Sequence, residues 1–202
     1  MTLALVAFLI AAIIPVFFGR IRSAPLWLAL QALALGWNAF AQHNGFSIHA
    51  LVALLEVLAV RVAIAPLLLR WAIHRRAEPN LALMPSNLFV WALAIGLIVL
   101  AFEFGAPALI DPLALTLGVV GATVAMTLLL LSTNDSPPVQ LLAVLFMENA
   151  LALFEALLPE PWPLLVHGAL SVIYLLTVGV GSWLIAVPDA PATVETGVEG
   201  RA

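Results

Sequence analysis

The chain of 202 residues contains no cysteine and no lysine. Without cysteine there is no disulfide framework, no thiolate metal site and no cysteine nucleophile. Without lysine there is no Schiff-base chemistry and no P-loop lysine, since all seven basic residues are arginine. Charge of either sign is scarce: 9% of residues carry one, against about 25% in soluble domains. The formal net charge of −4 leaves no basic stripe for nucleic acid. H-E-x-x-H, G-x-S-x-G and G-x-G-x-x-G motifs are missing, and the four histidines lack ligand spacing for a metal. The chain is therefore expected to hold no catalytic site, metal or cofactor of its own.

What is present is apolar. Hydrophobic residues make up 64% of the chain and the mean hydropathy is +1.17. A soluble domain of this size leaves too much surface exposed to hide that fraction, so an all-α integral membrane protein is expected. A helix needs about 20 mainly apolar residues to cross the hydrocarbon core. Seven stretches qualify: 3–19, 25–42, 47–72, 86–104, 112–132, 138–158 and 163–187. The runs are continuous and do not alternate, which disfavours strands. No basic region precedes the first stretch, which reads as a retained span and not a signal peptide. Ser23, Ser47, Ser86, Asp111 and Ser136 stand where N-caps are wanted, with Pro25, Pro112, Pro137 and Pro163 near first-turn positions. Residues 1–187 form one transmembrane domain on this reading, and 188–202 a short mobile cytoplasmic tail.

Orientation follows from the arginines. Arg20 and Arg22 lie in the first loop, and Arg70, Arg75 and Arg76 at the exit of the third span, two places that seven spans put on one side. The loops His43 to Ser47, Gly105 to Asp111 and Pro159 to Trp162 have none. The positive-inside rule then sets the N-terminus outside and the C-terminus in the cytoplasm; the membrane expected is the cell inner (cytoplasmic) membrane.

The informative residues are those inside spans against their solvation cost. A charged side chain at the bilayer centre costs about 2.5–3.5 kcal/mol on insertion scales. Glu56 and Arg61 in the third span, and Glu148 and Glu155 in the sixth, bear part of that cost. Arg61 and Glu148 fall near mid-span and share a level if their helices pack together, where pairing would offset desolvation. Two readings stand: a relay of ionisable groups through Glu148, Arg61, Glu56 and Glu155, or a static pair that fixes helix register. His49 and His167 lie close to span ends and read as peripheral, and Tyr174 adds a further polar group. Pro66, five residues after Arg61, frees the carbonyl of Val62 and predicts a kink beside the buried charge. Gly118, Gly121, Ala122 and Ala125, with Gly179 and Gly181, predict close helix packing.

The sixth span, LLAVLFMENALALFEALL from Leu141 to Leu158, resembles the Met-Glu-Asn helix of the hydrogenase-4 component E family. The third span, RVAIAPLLLRW from Arg61 to Trp71, resembles the same family in its buried basic residue, its proline and its basic end. The resemblance implies a membrane subunit of about seven spans, whose later helices are similar to the small K-type subunit of respiratory complex I. It implies that Glu148 is the intramembrane acidic residue and that Arg61 stands at the buried basic position. The family commonly carries Lys there; Arg effectively never deprotonates, so the implied role of Arg61 is a fixed charge tuning Glu148. Ala150 follows the motif where the family usually has Gly, and the last span offers His167 and Gly168 where an acidic residue is expected. The implied function is a non-catalytic subunit of a complex I-like or hydrogenase-4-like oxidoreductase assembly. Its partners would be antiporter-like membrane subunits and the lipid bilayer. The alternatives are a scaffold subunit of another antiporter-like ion or inorganic-carbon uptake complex, and a small stand-alone transporter.

Overall fold

An apolar chain in hydrocarbon must satisfy its backbone polar groups within each segment, and a helix does so. A computed structural model of the protein describes residues 2–42, 48–76, 81–84, 87–105, 111–157 and 163–187. All named elements among the described residues are helical. Helix α1 (Thr2–Phe18) leads through a tight turn at Ile21–Ser23 into α2 (Ala24–Gln42). Helix α3 (Ile48–Glu56) runs through a π-helical segment, Val57–Ile64, into α4 (Ala65–Arg76). There follow α5 (Leu88–Gly105), α6 (Pro112–Thr133), α7 (Pro137–Glu155) and α8 (Leu164–Ala186).

Five of these rods are long and apolar enough to cross a membrane: Ile21–Ala41, Leu51–Arg75, Pro112–Thr133, Pro137–Glu155 and Leu165–Ala186. The other two apolar helices, Leu3–Phe18 and Leu88–Glu103, are shorter. The expected caps are met in part. Asp111 Oδ1 accepts from Leu113 N–H at 3.0 Å, with Pro112 opening α6. Ser136 stands at the N-cap of α7 without a side-chain cap bond, and its own N–H donates to Asn134 Oδ1 at 2.9 Å. Ser23 turns its hydroxyl back to the Arg20 carbonyl at 2.9 Å and so closes the preceding turn. At the start of α5 it is Asn87 that accepts from Phe89 N–H at 2.9 Å. Ser47, Ser86 and the tail 188–202 lie outside the described residues.

Three connections meet at one end of the bundle. Ile21 N–H donates to Leu81 O at 3.0 Å, and Asn134 Nδ2 donates to Leu83 O at 3.0 Å. The α1–α2 turn, the segment 81–84 and the α6–α7 turn are thus bound together. Arg20 and Arg22 lie on the first of them, and α4, which carries Arg70 and Arg75, packs against it.

The apolar interior has two parts. One, toward the arginine end, contains Ile21, Leu28, Leu69, Leu83, Leu130, Leu142, Phe146 and Tyr174. The other contains Leu5, Phe8, Leu35, Val119, Ala150 and Leu153. On α2 Gln31 separates Leu28 from Leu35, and on α7 Asn149 separates Phe146 from Leu153, so a polar layer lies between the two cores. Of the small residues, two let neighbours come close. A Cβ on Gly118 would stand 2.6 Å from Phe102 Cδ1, and one on Gly181 would stand 2.7 Å from Leu141 Cδ1. Gly179 faces open space and does not serve that purpose.

The feature near Pro66 is a π segment. The cap N–H of Ala65 reaches back five residues to Val60 O, and the next position, Pro66, has no N–H to continue the pattern. The widened turns accommodate the ring, and the residue they carry in their middle is Arg61.

Candidate functional site

Arg61 is built into the bundle by four helical segments. It is 6% exposed, on the π segment that packs against α2, α3 and α4. Its guanidinium donates from a terminal nitrogen to Asn149 Oδ1 of α7 at 2.9 Å. Asn149 Nδ2 in turn donates to Gln31 Oε1 of α2 at 3.0 Å. From the far side the Tyr174 ring of α8 lies 4.3 Å from the guanidinium carbon, in cation–π contact. Gln31, Asn149 and Tyr174 are all buried to 1% exposure or less. A planar five-donor fork suits such a site, since it can bond an amide edge-on and stack on a ring at once.

The ionic partner of Arg61 is Glu56, with Nε 3.5 Å from Oε1. The two lie five residues apart, more than one α turn and about one π turn, so the widened backbone brings them to one face. The sequence reading paired Arg61 with Glu148 instead. The structure gives the direct bond to the next residue, Asn149, and leaves the Arg61 charge to act on Glu148 through space. Glu148 Oε2 is buried with no hydrogen-bond partner among the described residues.

Above this layer, toward the end opposite the arginines, stands His167. Its Nδ1 is 3.4 Å from Glu155 Oε1 of α7 and its Nε2 is 4.0 Å from Glu56 Oε2 of α3. The sequence reading left His167 at the periphery, whereas the structure sets it between two of the singled-out carboxylates. The side chain of His49 lies outside the described residues. The structure therefore joins Glu155, His167, Glu56, Arg61, Asn149 and Gln31 in one connected set, with Glu148 and Tyr174 beside it.

The hydroxyls of α6 provide a contrast. Thr116, Thr123 and Thr127 are buried too, but each donates to a carbonyl of its own helix at 2.8 Å. They are internally satisfied and link nothing. In the cluster, Tyr174 Oη, Gln31 Nε2 and both Glu56 oxygens have no hydrogen-bond partner among the described residues. Buried polar groups in that condition are commonly bonded to ordered water. Among the described residues, no group of three His, Asp or Glu side chains is arranged to hold a metal ion.

Three members were missed from sequence. Gln31 is a lone amide in an apolar helix, and its separation by seven residues from Asn38, also buried, was an available signal of a polar face. Asn149 was seen only as part of a motif. Tyr174 was noted as polar but not placed. No family model, curated protein or solved structure matches the chain.

Proposed function

We propose that the protein is a non-catalytic membrane subunit of a complex I-like or hydrogenase-4-like respiratory assembly. On this reading it crosses the cell inner membrane seven times, with the N-terminus outside and the C-terminus in the cytoplasm. It contributes to proton translocation through Glu148, with Arg61 as a fixed charge beside it. Redox chemistry belongs to partner subunits, and antiporter-like membrane subunits are the neighbours in the bilayer.

The observation that carries the reading is the Arg61–Asn149 bond. It ties the buried basic residue of the third span to the Met-Glu-Asn run of the sixth, the two segments on which the resemblance to hydrogenase-4 component E rests. The meeting of the arginine-bearing connections at one end supports the orientation. The test is Glu148→Gln in the intact assembly, with proton movement measured in sealed vesicles while electrons flow. Loss of proton movement with unchanged subunit composition is expected. Unchanged movement refutes the ion-path reading.

The second reading is a scaffold subunit of an antiporter-like ion or inorganic-carbon uptake complex. It is favoured by the way Arg61, Asn149 and Gln31 lock three helices around a buried guanidinium. It calls for full transport with Glu148→Gln, together with loss of assembly when Arg61 is replaced.

A further inference from the structure

The strongest feature that the proposed path through Glu148 does not use is the imidazole of His167. It is held between carboxylates from two different helices. Nδ1 faces Glu155 on α7 at 3.4 Å, and Nε2 faces Glu56 on α3 at 4.0 Å. The histidine side chain is 29% exposed, whereas the two carboxylates are equally enclosed, at 15% for Glu155 and 14% for Glu56. The inner end of the bridge is Glu56, beside Arg61. Both Glu56 oxygens are buried without a hydrogen-bond partner among the described residues, as is His167 Nε2. The inner half of the bridge is thus polar, enclosed and incompletely bonded. Among the described residues, the other charged or titratable groups around it are Arg61, 3.5 Å from Glu56, then Tyr174 on α8 and Glu148 on α7.

We propose that His167 is the proton-entry residue of this chain, passing protons from Glu155 to Glu56 at the end of the bundle opposite the arginines. This rests on the proposed ion path in so far as Glu56 then hands on to Glu148. The bridge itself stands on its own geometry.

The step balances. A proton arriving on Glu155 as the carboxylic acid moves to Nδ1, leaving the Glu155 carboxylate and an imidazolium. The imidazolium gives the proton on Nε2 to the Glu56 carboxylate, which becomes the acid. The ring is left neutral with hydrogen on Nδ1, and it resets by rotation or by exchange with water. Imidazole is the side chain suited to this, because it holds one proton on each face and accepts at one nitrogen while releasing at the other. At 4.0 Å the second transfer needs a small approach of the groups or a bridging water. Glu56, 3.5 Å from Arg61, then carries the proton at the inner end of the bridge.

Two measurements test this. In the full-length chain in lipid nanodiscs with nitrogen-15 histidine, Glu155→Gln is expected to shift the Nδ1 resonance of His167, and Glu56→Gln the Nε2 resonance. His167→Gln assigns the signals. Resonances that ignore both substitutions overturn the bridge. In the intact assembly, His167→Gln is expected to lower proton flux by about a hundredfold, the scale of one well-placed acid–base group. Added imidazole is expected to restore part of it, and Glu103→Gln, on an exposed position of α5, to change nothing. If His167→Gln disturbs assembly, Glu155→Gln carries the same flux test.

The outcomes separate the two claims. Flux lost with Glu148→Gln but kept with His167→Gln overturns the entry residue alone. Flux lost with His167→Gln but kept with Glu148→Gln upholds the entry residue and overturns the path through Glu148. Flux kept in both overturns both.

Discussion

Replacing Arg61 with Met asks whether the cluster is held by charge or by shape. Methionine fills much of the aliphatic stem's volume, so the packing loss is small and the polar loss dominates. Three contacts go: the 2.9 Å bond to Asn149, the 3.5 Å pair with Glu56 and the Tyr174 ring at 4.3 Å. Removing one partner of a buried pair costs about 3–5 kcal/mol, because the other charge is left unpaired. Polar contacts between membrane helices measured by double-mutant cycles are smaller, averaging about 0.6 and reaching about 1.7 kcal/mol, because the unfolded chain in the bilayer also finds partners. Glu56 decides between these scales. Its side chain is 14% exposed and makes no hydrogen bond among the described residues, and its one other charged or titratable contact there, His167 Nε2, stands 4.0 Å away, too far to replace the Arg61 pair. A loss of about 3 kcal/mol is therefore expected for Arg61→Met. Adding Glu56→Gln is expected to return about 1–2 kcal/mol of it, by removing the stranded charge. The assay is reversible unfolding of the lone full-length chain in mixed micelles against increasing SDS. A single variant within about 0.5 kcal/mol of the parent, the usual scatter of surface substitutions, would refute the argument. So would a double variant no more stable than the single.

Two other outcomes follow from the same geometry. Tyr174→Phe keeps the ring under Arg61 and removes a hydroxyl that is buried without a partner, so stability in the same unfolding assay is expected to be unchanged or higher; a loss above about 1 kcal/mol, the size of a net hydrogen bond, would reveal a bond to that hydroxyl. Gly118→Val sets a side chain where a Cβ already stands 2.6 Å from Phe102, so a loss of about 1–3 kcal/mol is expected. Phe102→Ala in the same chain should make Gly118→Val nearly neutral if that ring is the obstacle.

How much of this could be read from the residues differs by level. The apolar runs 112–132 and 138–158 correspond to α6 and α7, because length and hydropathy decide helices in hydrocarbon and need no knowledge of neighbours. Arg61, Glu56, Glu148 and Glu155 stood out for a similar reason: their cost is a property of depth, and depth can be counted along the chain. Partnership cannot be counted that way. Whether Arg61 meets Glu148 or Asn149 depends on the rotation of α7 by a single position, about 100°, which depth does not constrain. Gln31 and Tyr174 were harder still, since they come from helices whose place beside the third span no local pattern specifies. His167 looked peripheral because its position near a helix end is where interfacial histidines also sit. The π segment left no mark of its own in sequence, as VLAVRVAI is as compatible with an ordinary helix. Only Pro66 hinted that the pattern would be disturbed there.

That segment gives the third rod the character of a coupling between two shafts set at different angles. Each wide turn holds a surplus of chain relative to an α turn, so the half before it and the half after it need not present the same face to the same neighbour. The lower half can follow α8 while the middle addresses α2. Taking up a single residue of that surplus would turn one half against the other by about 100°. Arg61 rides on the coupling itself, so any such slip would carry the guanidinium from one set of partners to another while the helices around it stayed where they are.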